Sequence, residues 1–107
     1  MDANGAGSWA SGQTDGNQWL QVDLGRMRTI AGVITQGRNG VAQWVTSYKL
    51  QHGVYENHLT TIIFPANDDS DTKVTNVLDE MITTRYVRFR PLTWHGWIAM
   101  RVEILGC

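Results

Sequence analysis

The chain has 107 residues, of which 42% are hydrophobic and 18% charged. This is the composition of a folded globular protein, and it excludes an intrinsically disordered one. Nine Lys and Arg residues against ten Asp and Glu residues leave a formal net charge of −1. The overall charge therefore offers no general attraction to nucleic acid or to an acidic membrane, and an anionic ligand would need a local basic patch. A length of this order suits one domain, so we expect residues 1–107 to form a single one.

Short β-like runs, separated by Gly, Pro, Asn and Asp, follow one another along the chain. The first, 19–24, alternates apolar and polar residues and stops at Gly25; the second, 29–35, is rich in β-branched residues and ends at Gly37. Five more runs lie at 44–50, 59–64, 73–78, 85–90 (which stops at Pro91) and 98–105. Runs at this spacing predict an all-β antiparallel sandwich or barrel.

No convergent set of catalytic groups is visible in the sequence. The histidines His52, His58 and His95 do not have the spacing of a metal site. No nucleophile elbow and no glycine-rich phosphate loop occurs. We therefore expect a binding module rather than an enzyme.

An acidic cluster formed by Asp68, Asp69 and Asp71 leaves two interpretations open. Carboxylate oxygens are the ligands that calcium takes, so a calcium site is one of them. The cluster lacks the spacing and the terminal Glu of an EF-hand loop, which favours a solvated turn. We expect no cofactor and no metal, with calcium as the alternative.

Tryptophan is frequent in this chain, with five residues. Trp19 and Trp44 begin predicted strands and are candidates for the core. Trp94 and Trp97 flank His95 in a predicted loop, where a tryptophan either plugs the open end of a sandwich or forms a platform for a ligand.

The segment 38–43 is a second candidate binding loop, with a cation at Arg38 and a small apolar tip at Val41. Such a loop could contact a sugar or enter a membrane surface. The alternative is a simple β-hairpin turn, because Asn39 followed by Gly40 is a common turn dipeptide.

Arg85, Arg88 and Arg90 lie in one predicted strand, with Arg88 and Arg90 on the same face. One interpretation is a patch that binds anions. The other, which we favour, is a solvated or salt-bridged face with partners such as Glu103 on a neighbouring strand.

Several motifs follow one another in a recognisable order. Residues 19–25 read WLQVDLG, residues 35–38 TQGR, residues 44–50 WVTSYKL and residues 84–88 TRYVR; Pro91 and Trp94 then precede IAMRVEILGC at 98–107. Together these motifs resemble those of the discoidin family, also called coagulation factor V/VIII type C domains. The resemblance extends from Trp9 to Cys107.

This resemblance implies a distorted jelly-roll barrel in a secreted or cell-surface protein without catalytic activity. Members of the family bind phosphatidylserine membranes, galactose-type sugars, collagen or peptide tails through loops at one end of the barrel. By position, these loops would be 10–17, 38–43 and 93–97. The candidate ligand-binding residues are Ser11, Thr14, Asp15, Arg38, Asn39, Val41, Gln43, Trp94, His95 and Trp97.

The chain also departs from the family pattern. Members open with a cysteine that pairs with the terminal one, and the first strand and first apolar spike loop follow it. Cys107 is the single cysteine here, so the resemblance implies a chain that begins partway through the domain, with Cys107 lacking its usual partner. The leading hypothesis is a module for glycans or anionic phospholipid. The alternative is a structural module that forms a homodimer through an open sheet edge or through Cys107.

Overall fold

The computed structural model describes residues 9–15, 17–55 and 58–106, and these form six β-strands. The strands are β1 (Trp9–Ala10), β2 (Leu20–Gln36), β3 (Trp44–Tyr55), β4 (His58–Pro65), β5 (Val74–His95) and β6 (Ala99–Gly106). All pairs are antiparallel, in the order β1-β6-β2-β5-β3-β4. The predicted all-β architecture is confirmed. No helix in the described ranges is long and apolar enough to cross a membrane.

The long strands β2 and β5 each contribute to two layers. In the front layer, residues 20–23 of β2 pair with 86–89 of β5, whose other side pairs with β3. In the back layer, residues 28–35 of β2 pair with 74–84 of β5, and β6 lies beside β2. Because β2 and β5 run through both layers, the sheet folds onto itself, as in a jelly roll.

The predicted runs 19–24 and 29–35 form one strand, β2, and the runs 73–78 and 85–90 form another, β5, so the predicted stops at Gly25 and Pro91 are wrong. Gly25 lies within β2, where the register shifts between Asp23 and Arg28; its φ of 80° is accessible to glycine and lets the strand bend. Pro91 lies within β5, opposite Tyr48 of β3. The pairing of β2 with β5 begins only at Phe89, so on that side the missing N–H of the proline interrupts no ladder.

One hydrophobic core lies between the two layers. Tyr48, Leu50 and Phe89 of the front layer are fully buried, as are Ile30 and Val33 of the back layer. Burying a side chain of this size contributes about 1.5–3 kcal/mol, so these contacts hold the layers together. The other buried hydrophobic residues are Val22, Val45, Leu78, Val87, Ile98, Ala99, Met100 and Val102.

Candidate functional site

The three segments expected to bind ligand meet at one end of the barrel. The prediction that 93–97 is a loop is wrong in part, because Thr93, Trp94 and His95 form the end of β5 and pair with β3. Trp97 donates its indole N–H to the carbonyl of Ser11 at 2.8 Å, and the Ser11 amide donates to the carbonyl of Ile98 at 3.0 Å. Gly96 lies so close to the second loop that a Cβ there would be 2.8 Å from the carbonyl oxygen of Ala42. We call the surface formed by the described residues of 10–17, together with 38–43 and 93–97, the loop end.

The loop 38–43 closes on itself. The Arg38 amide donates to the Gln43 carbonyl at 2.9 Å, and the Arg38 guanidinium donates to the Gln43 side-chain oxygen at 3.1 Å. Asn39 and Gly40 form the exposed turn, and Val41 is 38% exposed. The β-hairpin interpretation is wrong, because the loop connects β2 to β3, and these strands are not neighbours in the sheet.

Trp94 and Trp97 are both half-buried, which supports their role as plugs. Trp94 packs against the hydrophobic core. The polar group of Trp97 is already bonded to Ser11. These contacts favour the plug interpretation over that of a ligand platform.

The stacked pair Trp44 and His95 is the aromatic surface that the loop end presents. Their ring centroids are 4.3 Å apart with an interplanar angle of 17°. The side chain of His95 is exposed, whereas that of Trp44 is half-buried beneath it. Trp44 was a core candidate from its position at a strand start, and no local signal revealed this pair, because it depends on the register of β3 against β5.

In the first loop, most polar groups are used to hold the loop itself. Asp15 accepts hydrogen bonds from the Gln18 side chain at 3.1 Å and the Asn17 amide at 2.9 Å, and these bonds lower the pKa of its carboxyl. Ser11 is buried, and its hydroxyl donates to the carbonyl of Gln13. Thr14 is exposed and is therefore the predicted residue of this loop most open to a ligand.

A fourth segment, 66–73, supports the loop end from below, and sequence reasoning did not place it there. Asn67 is 3% exposed; its side-chain amide donates to the carbonyls of Thr35 and Thr72 at 3.0 and 2.8 Å. Arg101 donates to the carbonyl of Gly37 at 2.7 Å and to that of Ser70 at 2.8 Å. These bonds tie the segment to both neighbouring strands.

The acidic cluster lies in this supporting segment. Asp69 accepts hydrogen bonds from the Thr72 hydroxyl and amide at 2.6 and 2.7 Å, and Asp71 forms a salt bridge with Arg101 at 3.0 Å. The bonds from Thr72 lower the pKa of Asp69. Within the described ranges no three acidic, His or Cys side chains are grouped for a metal, and calcium binding stays a prediction.

The predicted pairing of the arginine strand with Glu103 is wrong. Glu103 is opposite Ile34 of β2, and β6 is not a neighbour of β5. Arg85 instead forms a salt bridge with Asp23 at 3.0 Å. The core assignment of Trp19 is also wrong, because this side chain is 49% exposed on the outer face of the front layer.

Three further predictions concern the ends of the chain. Cys107 and the segment before Trp9 lie outside the described residues, so the disulfide, the missing strand and the homodimer stay predictions.

Comparison with known proteins identifies the family. The F5/8 type C domain model matches residues 1–104. Lactadherin of Rattus norvegicus is 38% identical over 109 residues, 94% of this chain and 26% of lactadherin. Retinoschisin of Mus musculus is 37% identical over 117 residues, 100% of this chain and 52% of retinoschisin.

A solved structure shows the same fold. Recombinant discoidin II of Dictyostelium discoideum superposes with a TM-score of 0.86 at 30% identity, over 94% of this chain and 42% of discoidin II. The chain thus spans about half or less of each of these three proteins. The jelly-roll prediction and the predicted absence of catalysis are confirmed by this relationship, and the chain belongs to the F5/8 type C, or discoidin, family of non-catalytic binding modules.

Proposed function

We propose that residues 1–107 act as one extracellular module that binds carbohydrate of the galactose type through the loop end. The observation that carries the proposal is the exposed stack of His95 on Trp44 beside the polar loop 38–43. Membership of the family supports a binding role, and the geometry of the loop end supports a sugar as the ligand.

The chemistry of the loop end suits a sugar ring. The free face of an exposed aromatic ring can cover the apolar face of a pyranose, while nearby donors and acceptors bind its hydroxyls. Arg38, Asn39 and Gln43 supply such groups. The hydrogen bond between Arg38 and Gln43 holds both side chains in place before a ligand arrives, which lowers the entropy cost of binding.

An anionic phospholipid surface is the alternative ligand, and the loop end suits it less well. A membrane-inserting loop gains its affinity from apolar side chains that enter the lipid. In the loop 38–43 the large apolar side chain is Val41, and full burial of one valine contributes only about 1.5–3 kcal/mol. This gain is too small to anchor the module without further contacts.

The proposal is tested by calorimetric titration of galactose and lactose, with vesicles containing phosphatidylserine titrated in parallel. His95→Ala removes the ring and should weaken sugar binding about 10-fold, which corresponds to about 1.4 kcal/mol. His95→Phe retains a ring and should bind nearly as well as the parent chain. Thr60→Ala, on the exposed face of β4, is the control and should change nothing.

Two results would reject the carbohydrate assignment. One is the absence of any sugar binding by the parent chain. The other is equal affinity of the parent and the His95→Ala variant. Binding to the vesicles alone, lost on Val41→Asp, would favour the phospholipid instead.

A further inference from the structure

We propose a second ligand surface on the side of the barrel, one that binds a sulfated polysaccharide. It is formed by Trp19, Lys49, Arg88 and Arg90 on the outer face of the front layer, and we call it the basic face. It is separate from the loop end and does not depend on sugar binding there.

The cations of the basic face are brought together by strand register. Arg88 and Arg90 alternate along β5 and so project from the same side of the sheet. Lys49 of β3 lies directly opposite Arg90. The guanidinium groups of Arg88 and Arg90 lie 5.0 and 5.8 Å from the ring centroid of Trp19.

These contacts orient the cations. The indole ring attracts a guanidinium through its π-electrons but carries no net charge. Arg88 also donates two hydrogen bonds, of 2.9 and 2.7 Å, to the neutral side chain of Gln21. The long side chains of the arginines are thus held in place, so less entropy is lost when an anion binds.

The acidic residue on the same face of β2 as Gln21 is already paired. Asp23, which follows on the same face of β2, is bound to Arg85. In the part of the chain that the structure describes, the salt bridges are that pair and the one between Arg101 and Asp71, and neither includes Lys49 or Arg90. A local concentration of positive charge thus stands on a chain whose formal net charge is −1.

The shape of the basic face favours a linear polyanion. Alternate residues of a strand are about 7 Å apart, and neighbouring strands lie about 5 Å apart, so the cations are spread over an open sheet surface instead of enclosing one small anion. A polymer with regularly repeated sulfate groups can contact several of them at once. A membrane is a poorer match, because the face lies along the strands, to the side of the loop end.

The experiment measures binding of heparin by the whole chain as a function of salt. The parent should bind at about 50 mM NaCl and lose affinity as the salt concentration rises. The logarithm of the binding constant should fall with the logarithm of the salt concentration, with a slope of magnitude about 2–3 if each contacted sulfate releases about one counterion. Lys49→Gln combined with Arg90→Gln should reduce the affinity about 10-fold or more and the slope by about 2. Arg26→Gln combined with Lys73→Gln makes the same change in net charge at exposed positions elsewhere, and should leave both unchanged.

Circular dichroism melting curves of both double variants show whether each remains folded. Chemically desulfated heparin should not bind the parent. The proposal is overturned if the parent does not bind heparin, if the desulfated polymer binds equally well, or if the two double variants lose affinity equally. It is also overturned if the Lys49/Arg90 variant loses binding to phosphatidylserine vesicles while it retains heparin.

Discussion

At the scale of single residues, the loop end depends on polar side chains that face the protein rather than the solvent. The side-chain oxygen of Asn67 accepts a hydrogen bond from the hydroxyl of Thr35 and so joins the segment 66–73 to β2. The backbone amide of Asn67 donates to the carbonyl of Val45 at 3.0 Å. Trp97 and Arg101 bond the carbonyls of Ser11 and Gly37 in the same way. Such buried bonds are costly to break, because a group left without a partner is also cut off from water.

We expect Asn67→Ala to destabilise the fold by about 2–4 kcal/mol, because it removes several buried hydrogen bonds and leaves the hydroxyl of Thr35 without its acceptor. Urea unfolding followed by tryptophan fluorescence measures the change. Asp68→Ala, at the exposed neighbouring position, is the control and should cost less than about 0.5 kcal/mol. Equal stability of the two variants would show that Asn67 does not support the loop.

At the scale of the elements, close packing of one loop on another sets the shape of the loop end. Gly96 has a φ of 75° and lies against the backbone of Ala42. Gly40 has nearly the same φ, 72°, but a Cβ there would meet no atom within 4 Å. The two glycines therefore separate the cost of a left-handed backbone from the cost of a collision between loops.

Gly40→Ala should cost about 1–2 kcal/mol, the strain of placing a side chain in this conformation. Gly96→Ala should cost more, because it adds a contact of 2.8 Å with a backbone oxygen that cannot move without its loop. It should also weaken sugar binding, since the loop 38–43 must shift. Thermal melting and the sugar titration measure both effects; similar values for the two variants would mean that the loops do not support each other.

At the scale of the whole molecule, the two layers are joined through a common core. Tyr48 of the front layer is fully buried; its ring lies 5.6 Å from that of Phe89, and its hydroxyl accepts a hydrogen bond of 3.2 Å from Asn76 of the back layer. Burial raises the pKa of Tyr48 to about 12, because the apolar core disfavours the phenolate, although the bond from Asn76 opposes this in part.

This burial makes the stability of the fold sensitive to alkali. Above the ordinary tyrosine pKa of about 10, the unfolded chain releases the proton while the folded chain retains it, so stability falls as the pH rises from about 10 to about 12. At pH 11 the ionisation of Tyr48 should lower the free energy of unfolding by about 1 kcal/mol. Urea unfolding at several pH values should show a steeper fall for the parent than for Tyr48→Phe; parallel curves would show that Tyr48 ionises equally in both states.

The fold class and the family could both be predicted from the amino-acid sequence. The alternation of apolar and polar residues along runs such as 85–90 predicts one apolar face per strand. In the structure, Val87 and Phe89 of this run are buried. The order of the motifs from Trp9 onward led to the jelly roll. The three segments of the loop end followed from the resemblance to the family, by their positions among the matching motifs.

Which side chains contact each other could not be predicted in this way, because it depends on how the strands are arranged in space. Periodicity reports which face of a strand is apolar, but it carries no information on which strand lies beside it or in what register. The stack of His95 on Trp44 therefore could not be predicted, nor could the exposure of Trp19. Glu103 was assigned to the wrong neighbour for the same reason. The distinction between residues that support the loop end, such as Asn67, and those that face a ligand is likewise a property of contacts distant in sequence.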